Sequence, residues 1–512
     1  MKNIRRLAFL ILFFLVINSL SHADVRLPAI ISDDMVLQQG GPVNVWGWAD
    51  PGEEVKVAIA GSGSAKTVAD KDGNWKLKLD APPAGGPYQI EIAGKNTITV
   101  KNVLVGEVWL CSGQSNMGFL VREGQNAETE IAQANYPQIR LCTVEVATAT
   151  QPQKDCTAGW SECAPETVAN FSAAGYFFGR KLYQQLKVPI GLIRAAKGGS
   201  PVESWIAPDI LASDPDYAPI LQRHAQLVAD YPSLLQEYQR QVAQWKQAVQ
   251  QANAAGNQPP REPRLPFGPD HPLKLPGGMY NAMIMPITSF PIKGVIWYQG
   301  ESNNGRAYQY RKLFPALIEN WRSAWGEGDF PFLFVQIAPF KWHTPVTWAE
   351  LREAQLMTLR SVPNTGMAVT TDIGDISNIH PKNKQDVGDR LALWALAKTY
   401  ARDVVYSGPL YRKMKVEDNK IRLFFDYTDG GLVAKDGPLT EFTIAGSDKN
   451  FVDADAVIDG DTVLVSSDKI DLPVAVRFGW SNIPQPNFFN KAGLPASPFR
   501  TDDWPGVTMG SN

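Results

Sequence analysis

From residue 24 to about residue 103, apolar and polar positions alternate in short runs. VNVWGWA, EVKVAIAG, GNWKLKLD, YQIEIAG and NTITVKNV are separated by DPGEE, DKDG and PPAGGP. A period of two, interrupted at close intervals by turn residues, predicts a small antiparallel β-sandwich over 24–103. Trp46, Trp48 and Trp75 fall on these runs. They read first as core and only second as a face for a sugar ring.

Beyond residue 103 the pattern changes. VLVGEVWLC, VPIGLIRAA, KGVIWYQG, FLFVQIAP and GMAVTTDIG are apolar on both faces, and helix-like stretches lie between them. Such runs predict a parallel sheet covered by helices on both sides, a three-layer α/β domain over 104–402. Within it, 209–275 reads as a helical insertion. Tyr231, Leu234, Leu235, Tyr238, Val242, Trp245 and Val249 recur every three or four positions, which predicts one apolar stripe packed against the body of the protein. A Pro-rich stretch then returns the chain, and a lid role for the insertion is left open. From 403 to 512, KIRLFFDY, FTIAG, DTVLVSS and VAVRFGW predict a second β-domain.

Residues 1–23 have Lys2, Arg5 and Arg6, an apolar run from Leu7 to Ile17, and Ser21-His22-Ala23. This is the pattern of a secretory signal peptide cut after Ala23, and the run falls short of the roughly 20 residues that a membrane span needs. The expected location is periplasmic or secreted, with no membrane association after cleavage. A formal charge of −3 without a basic cluster argues against a nucleic-acid partner. Cys111, Cys142, Cys156 and Cys163 remain after cleavage. Export permits disulfides; no C-x-x-C pair suggests a zinc site, and structural roles are expected.

Five histidines limit the choice of general base. His22 leaves with the signal segment, His224 lies on the inserted helix and His271 in the Pro-rich return. His343 and His380 both follow apolar β-runs, where open sheets gather their chemistry. Ser115, in VGEVWLCSGQSNMG, follows the first strand of the α/β domain and precedes a predicted helix, so it reads either as a nucleophile or as a helix cap. Met117 takes the last glycine position of a G-x-S-x-G elbow. Glu301, at a strand end, could act as a glycosidase acid with Asp372 or Asp375, or could shape the pocket and orient Gln299 or Ser115. Lys197 and Glu203 read as braces for their segment, and Lys384 and Arg390 as a solvated helix face or as salt-bridge partners. No metal, nucleotide or other cofactor is expected.

GQSNM around Ser115, KGGSPVESW from Lys197, WYQGESN from Trp297 and IHPKNKQDVGDRLALWA from Ile379 occur in that order. Together they resemble the blocks of the sialate O-acetylesterase family, within the SGNH-hydrolase superfamily, which also includes acetylxylan and xyloglucan acetylesterases. The opening LPAIISDDMVLQQGGPVNVWGWADPGEEV resembles that family's N-terminal β-domain. The resemblance implies an SGNH-like catalytic domain flanked by β-sandwich-like domains and an O-acetylated carbohydrate as substrate. It implies Ser115 as nucleophile and His380 as base. It implies an oxyanion hole from the Ser115 N–H, the Gly199 N–H and the Gln299 amide, or alternatively the Asn303 amide. The superfamily's aspartate three residues before the histidine is Ser377 here, so Asp375, alternatively Asp372, is expected to orient His380, with a Ser–His dyad held by a backbone carbonyl as the remaining alternative. Trp205, Tyr280, Asn281 and Glu301 are expected at the substrate. Arg194, Arg306 and Arg352 are available for a sialic acid carboxylate, and Trp205, Trp297, Trp342 and Trp348 for neutral hemicellulose.

Overall fold

The computed structural model describes residues 24–511; the expected signal segment lies outside them. No helix among these residues is long and apolar enough to cross a membrane.

A mixed sheet forms the centre. In chain order its strands are β1 (Thr97–Gly113), β2 (Tyr136–Val144), β3 (Ala158–Cys163), β4 (Ile190–Ala196), β5 (Gly294–Tyr298), β6 (Phe332–Val335) and β7 (Thr365–Ala368). Across the sheet they run β7-β6-β5-β1-β4-β2-β3. All neighbours are parallel except the β2–β3 pair at one edge. β1 is long because it serves two environments. Its first half alternates in burial and pairs antiparallel with Gly85–Ala93, whereas its second half is buried without a break between β4 and β5. The strand passes through positions 103 and 104 uninterrupted, so the N-terminal strands and the central sheet share one backbone ladder.

Side chains of the central strands alternate between two apolar layers, as a period of two requires. Val108, Leu110, Val295, Trp297, Phe332 and Phe334 face one layer with helices Ala307–Trp325 and Thr347–Ser361. Trp109, Cys111, Ile296, Tyr298 and Leu333 face the other, with helices Ala173–Leu186 and Gln385–Trp394. Separate antiparallel sheets follow, one built from Leu410–Glu417, Lys420–Asp426, Thr462–Ser466 and Asp455–Asp459. The four cysteines are free, and the Cys156 thiol is pushed up to about 12 by burial and by Asp155.

The insertion differs from expectation. Its helix, Ala218–Ala254, fully buries only Ile220. The apolar stripe faces the Pro-rich return instead of the body: Trp245 Nε1 donates to Pro260 O at 2.8 Å, and a Cβ on Gly268 would lie 3.1 Å from the Tyr231 hydroxyl. The stripe therefore meets a segment of few apolar residues and stays half-exposed.

Candidate active site

Three strands end side by side: Ala196 of β4 and Tyr298 of β5 both flank Gly113 of β1. The loops that follow them, starting at Lys197, Gln299 and Gln114, therefore converge at the carboxyl edge of the sheet. Gly113 makes this turn at φ +138°, where a Cβ would fall 2.2 Å from Tyr298 O; no other residue fits. Ser115 opens a helix of only four residues, Ser115–Gly118. A macrodipole is negligible at that length and does not activate the serine. Met117 is buried, and its sulfur accepts from Ser172 Oγ, which explains why no glycine is needed there.

The loop after β7 brings His380 over the same edge. His380 Nε2 lies 2.8 Å from Ser115 Oγ. Burial and the Lys384 ammonium push the imidazole below its ordinary pKa, with Glu123 opposing them. A neutral imidazole against a serine hydroxyl is the arrangement that nucleophilic catalysis requires.

The remaining expected residues divide sharply. Asp375 accepts from Ser377 N, Ser377 Oγ and Asn378 N, and these bonds hold its carboxyl below the usual range. Asp372 is gripped by Arg390. Neither aspartate hydrogen-bonds to His380 among the described residues. Glu123, unmarked by any sequence pattern, is the acid whose charge favours the imidazolium.

For the oxyanion, the loop after β4 presents Gly198 to the nucleophile: a Cβ there would sit 3.4 Å from Ser115 Cβ. Gly199 adopts φ +74° and turns toward Leu273 of the insertion. Gln299 is fully buried; its amide donates to Ser200 O and Asn303 Oδ1 while its oxygen accepts from Tyr310. Asn303 donates to Glu203 and accepts from Val202 N. Both donors of the Gln299 amide are thus spent holding the KGGSPVESW loop in place, whereas Asn303 gives one N–H to that loop and keeps a second.

Trp205 is buried, with Nε1 donating to Ser200 Oγ and its ring edge-on to Trp297, so it offers no face to a sugar. Tyr280 and Asn281 line a different cavity, beside Pro208, Asp209 and Glu319. Arg352 is buried and donates to the carbonyls of Ile337, Ser481 and Asn482, and Arg194 donates to Asn170 O. Glu301 is buried, one oxygen accepting from Asn116 and the other without a hydrogen-bond partner among the described residues; burial pushes its carboxyl up. Lys384 is also buried, not solvated as its helical spacing suggested. His343 lies beside Trp342, and the imidazole paired with Ser115 is that of His380.

Next to Gly199 and Ser302 opens a cleft of about 630 Å³ whose far wall is the insertion, with Ile220, Arg223, His224, Phe267 and Lys274. At its floor Glu203 accepts from Arg306 at 2.6 Å and lies 3.7 Å from Arg223. Burial works to raise the Glu203 carboxyl, but Arg306 and Asn303 outweigh it and hold the group ionised. Two guanidiniums thus share one carboxylate.

A profile described as "carbohydrate esterase, sialic acid-specific acetylesterase" matches residues 105–257 and 273–397. The chain belongs to this family. The human sialate O-acetylesterase is 29% identical over 94% of this chain and 94% of its own length, and the rat enzyme is 30% identical over 76% and 77%. A crystal structure of a carbohydrate acetylesterase from Xanthomonas citri shares 37% identity and a TM-score of 0.80, covering 94% of this chain and 100% of its own. This member of the sialic acid-specific acetylesterase family is an esterase, and its Ser115 and His380 both fall inside the matched residues.

Proposed function

We propose that this acetylesterase releases acetate from O-acetylated sugars through an acetyl-enzyme on Ser115. His380 takes the hydroxyl proton as Ser115 Oγ attacks the acetyl carbonyl. It then gives that proton to the departing sugar oxygen, so the ester C–O bond breaks as the acetyl–serine bond forms. Water, deprotonated by the same imidazole, attacks the acetyl-enzyme and frees acetate and the serine hydroxyl. The N–H groups of Ser115 and of the Gly198–Gly199 turn are the oxyanion donors, each worth about 2.7–4 kcal/mol of barrier. The 2.8 Å contact between His380 and Ser115 carries this reading. The proposal includes an SGNH-type catalytic domain over 104–402, β-domains over 24–103 and 403–512, and export directed by residues 1–23.

The cleft supports an acidic sugar, because Arg223, Lys274 and Arg306 outnumber the carboxylates Glu203 and Asp230 on its walls. A neutral hemicellulose is the second reading. Trp342, half-exposed on the loop after β6 and backed by Phe340 and Trp348, favours it.

The experiment is acetate release from O-acetylated sialic acid and from an aryl acetate by the parent and by Ser115→Ala and His380→Ala. Each variant is expected to lose about 10⁴-fold or more in kcat. Mass spectrometry of acid-quenched parent enzyme should show an acetyl group on Ser115. Full activity in Ser115→Ala would remove the mechanism.

A further inference from the structure

Three buried polar side chains lie beneath the reacting pair, and the steps above use none of them. Asn116 follows the nucleophile and is fully buried. Its Oδ1 accepts from Lys384 Nζ at 2.8 Å. Its Nδ2 donates to Glu301 Oε1 at 2.7 Å and to Ile379 O at 3.0 Å, one residue before His380. Lys384 is 1% exposed and also donates to Pro381 O, one residue after His380. Its ammonium lies over the rings of Phe119 and Tyr298.

One amide therefore ties the neighbour of the nucleophile to the neighbour of the base. A primary amide can turn end for end at little cost unless both ends are specified. Here a cation fixes the oxygen end and a carboxyl group fixes the nitrogen end. We propose that Asn116, locked between Lys384 and Glu301, is a positioning residue that sets the distance from Ser115 Oγ to His380 Nε2. The chemistry is directional: only the nitrogen end can donate to Ile379 O, and that bond holds the histidine loop against the serine turn. Burying a lysine and a glutamate here costs solvation that apolar side chains would not, and the fixed amide is what that cost maintains.

This inference rests on the Ser115–His380 reading, and Ser115→Ala separates the two. Lys384→Met keeps the length of the stem and removes the donor; Asn116→Ala removes the amide. Each single variant is expected to lower kcat on an aryl acetate about 10- to 100-fold, the range typical when a group orienting a reactive residue is lost, while KM changes less than about twofold. The double variant should be no slower than Asn116→Ala, because both act through one bond network. General loosening of the fold would instead give additive losses and a matching fall in Tm. Lys384→Met should also move the acid limb of kcat/KM upward, since His380 loses a facing cation; Glu123, Phe119 and Ser115, the other groups against the imidazole, are unchanged.

Single-variant kcat within twofold of the parent, or additive losses in the double variant, overturns the proposal. If Lys384→Met does not fold, Asn116→Ala and Glu301→Gln decide: full kcat in Asn116→Ala overturns it, and a kcat loss in Asn116→Ala larger than in Glu301→Gln upholds it. If Ser115→Ala retains activity, the reading of the site fails before the clamp is tested against it.

Discussion

Arg390 holds Asp372 by two hydrogen bonds of 2.6 Å, one to each carboxylate oxygen. A bidentate pair of this kind fixes the carboxylate's plane as well as its place. It anchors the start of the histidine loop to helix Gln385–Trp394 and commits both oxygens of Asp372 to Arg390.

Asp375 and Asp372 are therefore expected to differ from a triad acid in their mutational effect. Asp375→Asn should leave kcat within a few-fold of the parent, because its carboxylate bonds only to its own loop. Losing a true triad aspartate costs about 10⁴ in kcat. A fall of that size on an aryl acetate would show that Asp375 swings onto the imidazole during turnover. Asp372→Asn should act through stability, lowering Tm more than kcat.

The pH dependence of kcat/KM should reflect His380. Its pKa lies below the ordinary imidazole value, chiefly through burial and next through Lys384. The base must be neutral, so activity is retained as pH falls through 6.5 and is lost only below it. Glu123→Gln removes the charge that favours the imidazolium and should shift the acid limb to lower pH. An upward shift would exclude Glu123 as a partner of the imidazole.

Ser115 and His380 were legible in the sequence through the resemblance of the blocks that carry them. Position alone leaves Ser115 open as a helix cap and His343 open as the base; the four ordered blocks single out Ser115 and His380, which lie 2.8 Å apart. The sheet was legible because runs such as GVIWY have no polar face to give to solvent. What failed were the roles of side chains fixed by distant partners. Gln299 looks available in WYQGESN, but Ser200, Asn303 and Tyr310 claim all of its amide. Lys384 sits where helical spacing suggests solvent, yet Asn116 and the carbonyl of Pro381 take its protons inside the protein. Nothing along a single helix shows that Glu203, 20 positions before Arg223, folds back beneath it.

Lys384 should also mark the pH dependence of stability. Burial brings its pKa from 10.5 to about 7. Between those values the folded chain holds fewer protons than the unfolded chain at this site, so its contribution to unfolding free energy rises with pH. Below about pH 7 both states carry the charge and the burial cost is present in full. The stability of the parent relative to Lys384→Met, measured by urea unfolding from pH 7 to 9, should therefore increase with pH. A flat difference would show that the ammonium keeps its ordinary pKa inside the protein.

Arg223 provides the sharpest test of substrate. Its guanidinium is 43% exposed on the cleft wall, whereas Glu203, its counter-charge, is already satisfied by Arg306 and Asn303. Donors left over in this way suit a substrate carboxylate, and a charge-assisted bond of that type contributes about 1.5–3 kcal/mol. Arg223→Ala should thus lower kcat/KM for O-acetylated sialic acid about 10- to 100-fold, mainly through KM. An aryl acetate has no carboxylate to place, so its kcat/KM should stay within about twofold. Equal losses on both substrates would mean that Arg223 supports Glu203 and the loop above it and does not read the sugar. No loss on either, together with a KM increase for acetylated xyloglucan in Trp342→Ala, would favour the neutral polysaccharide.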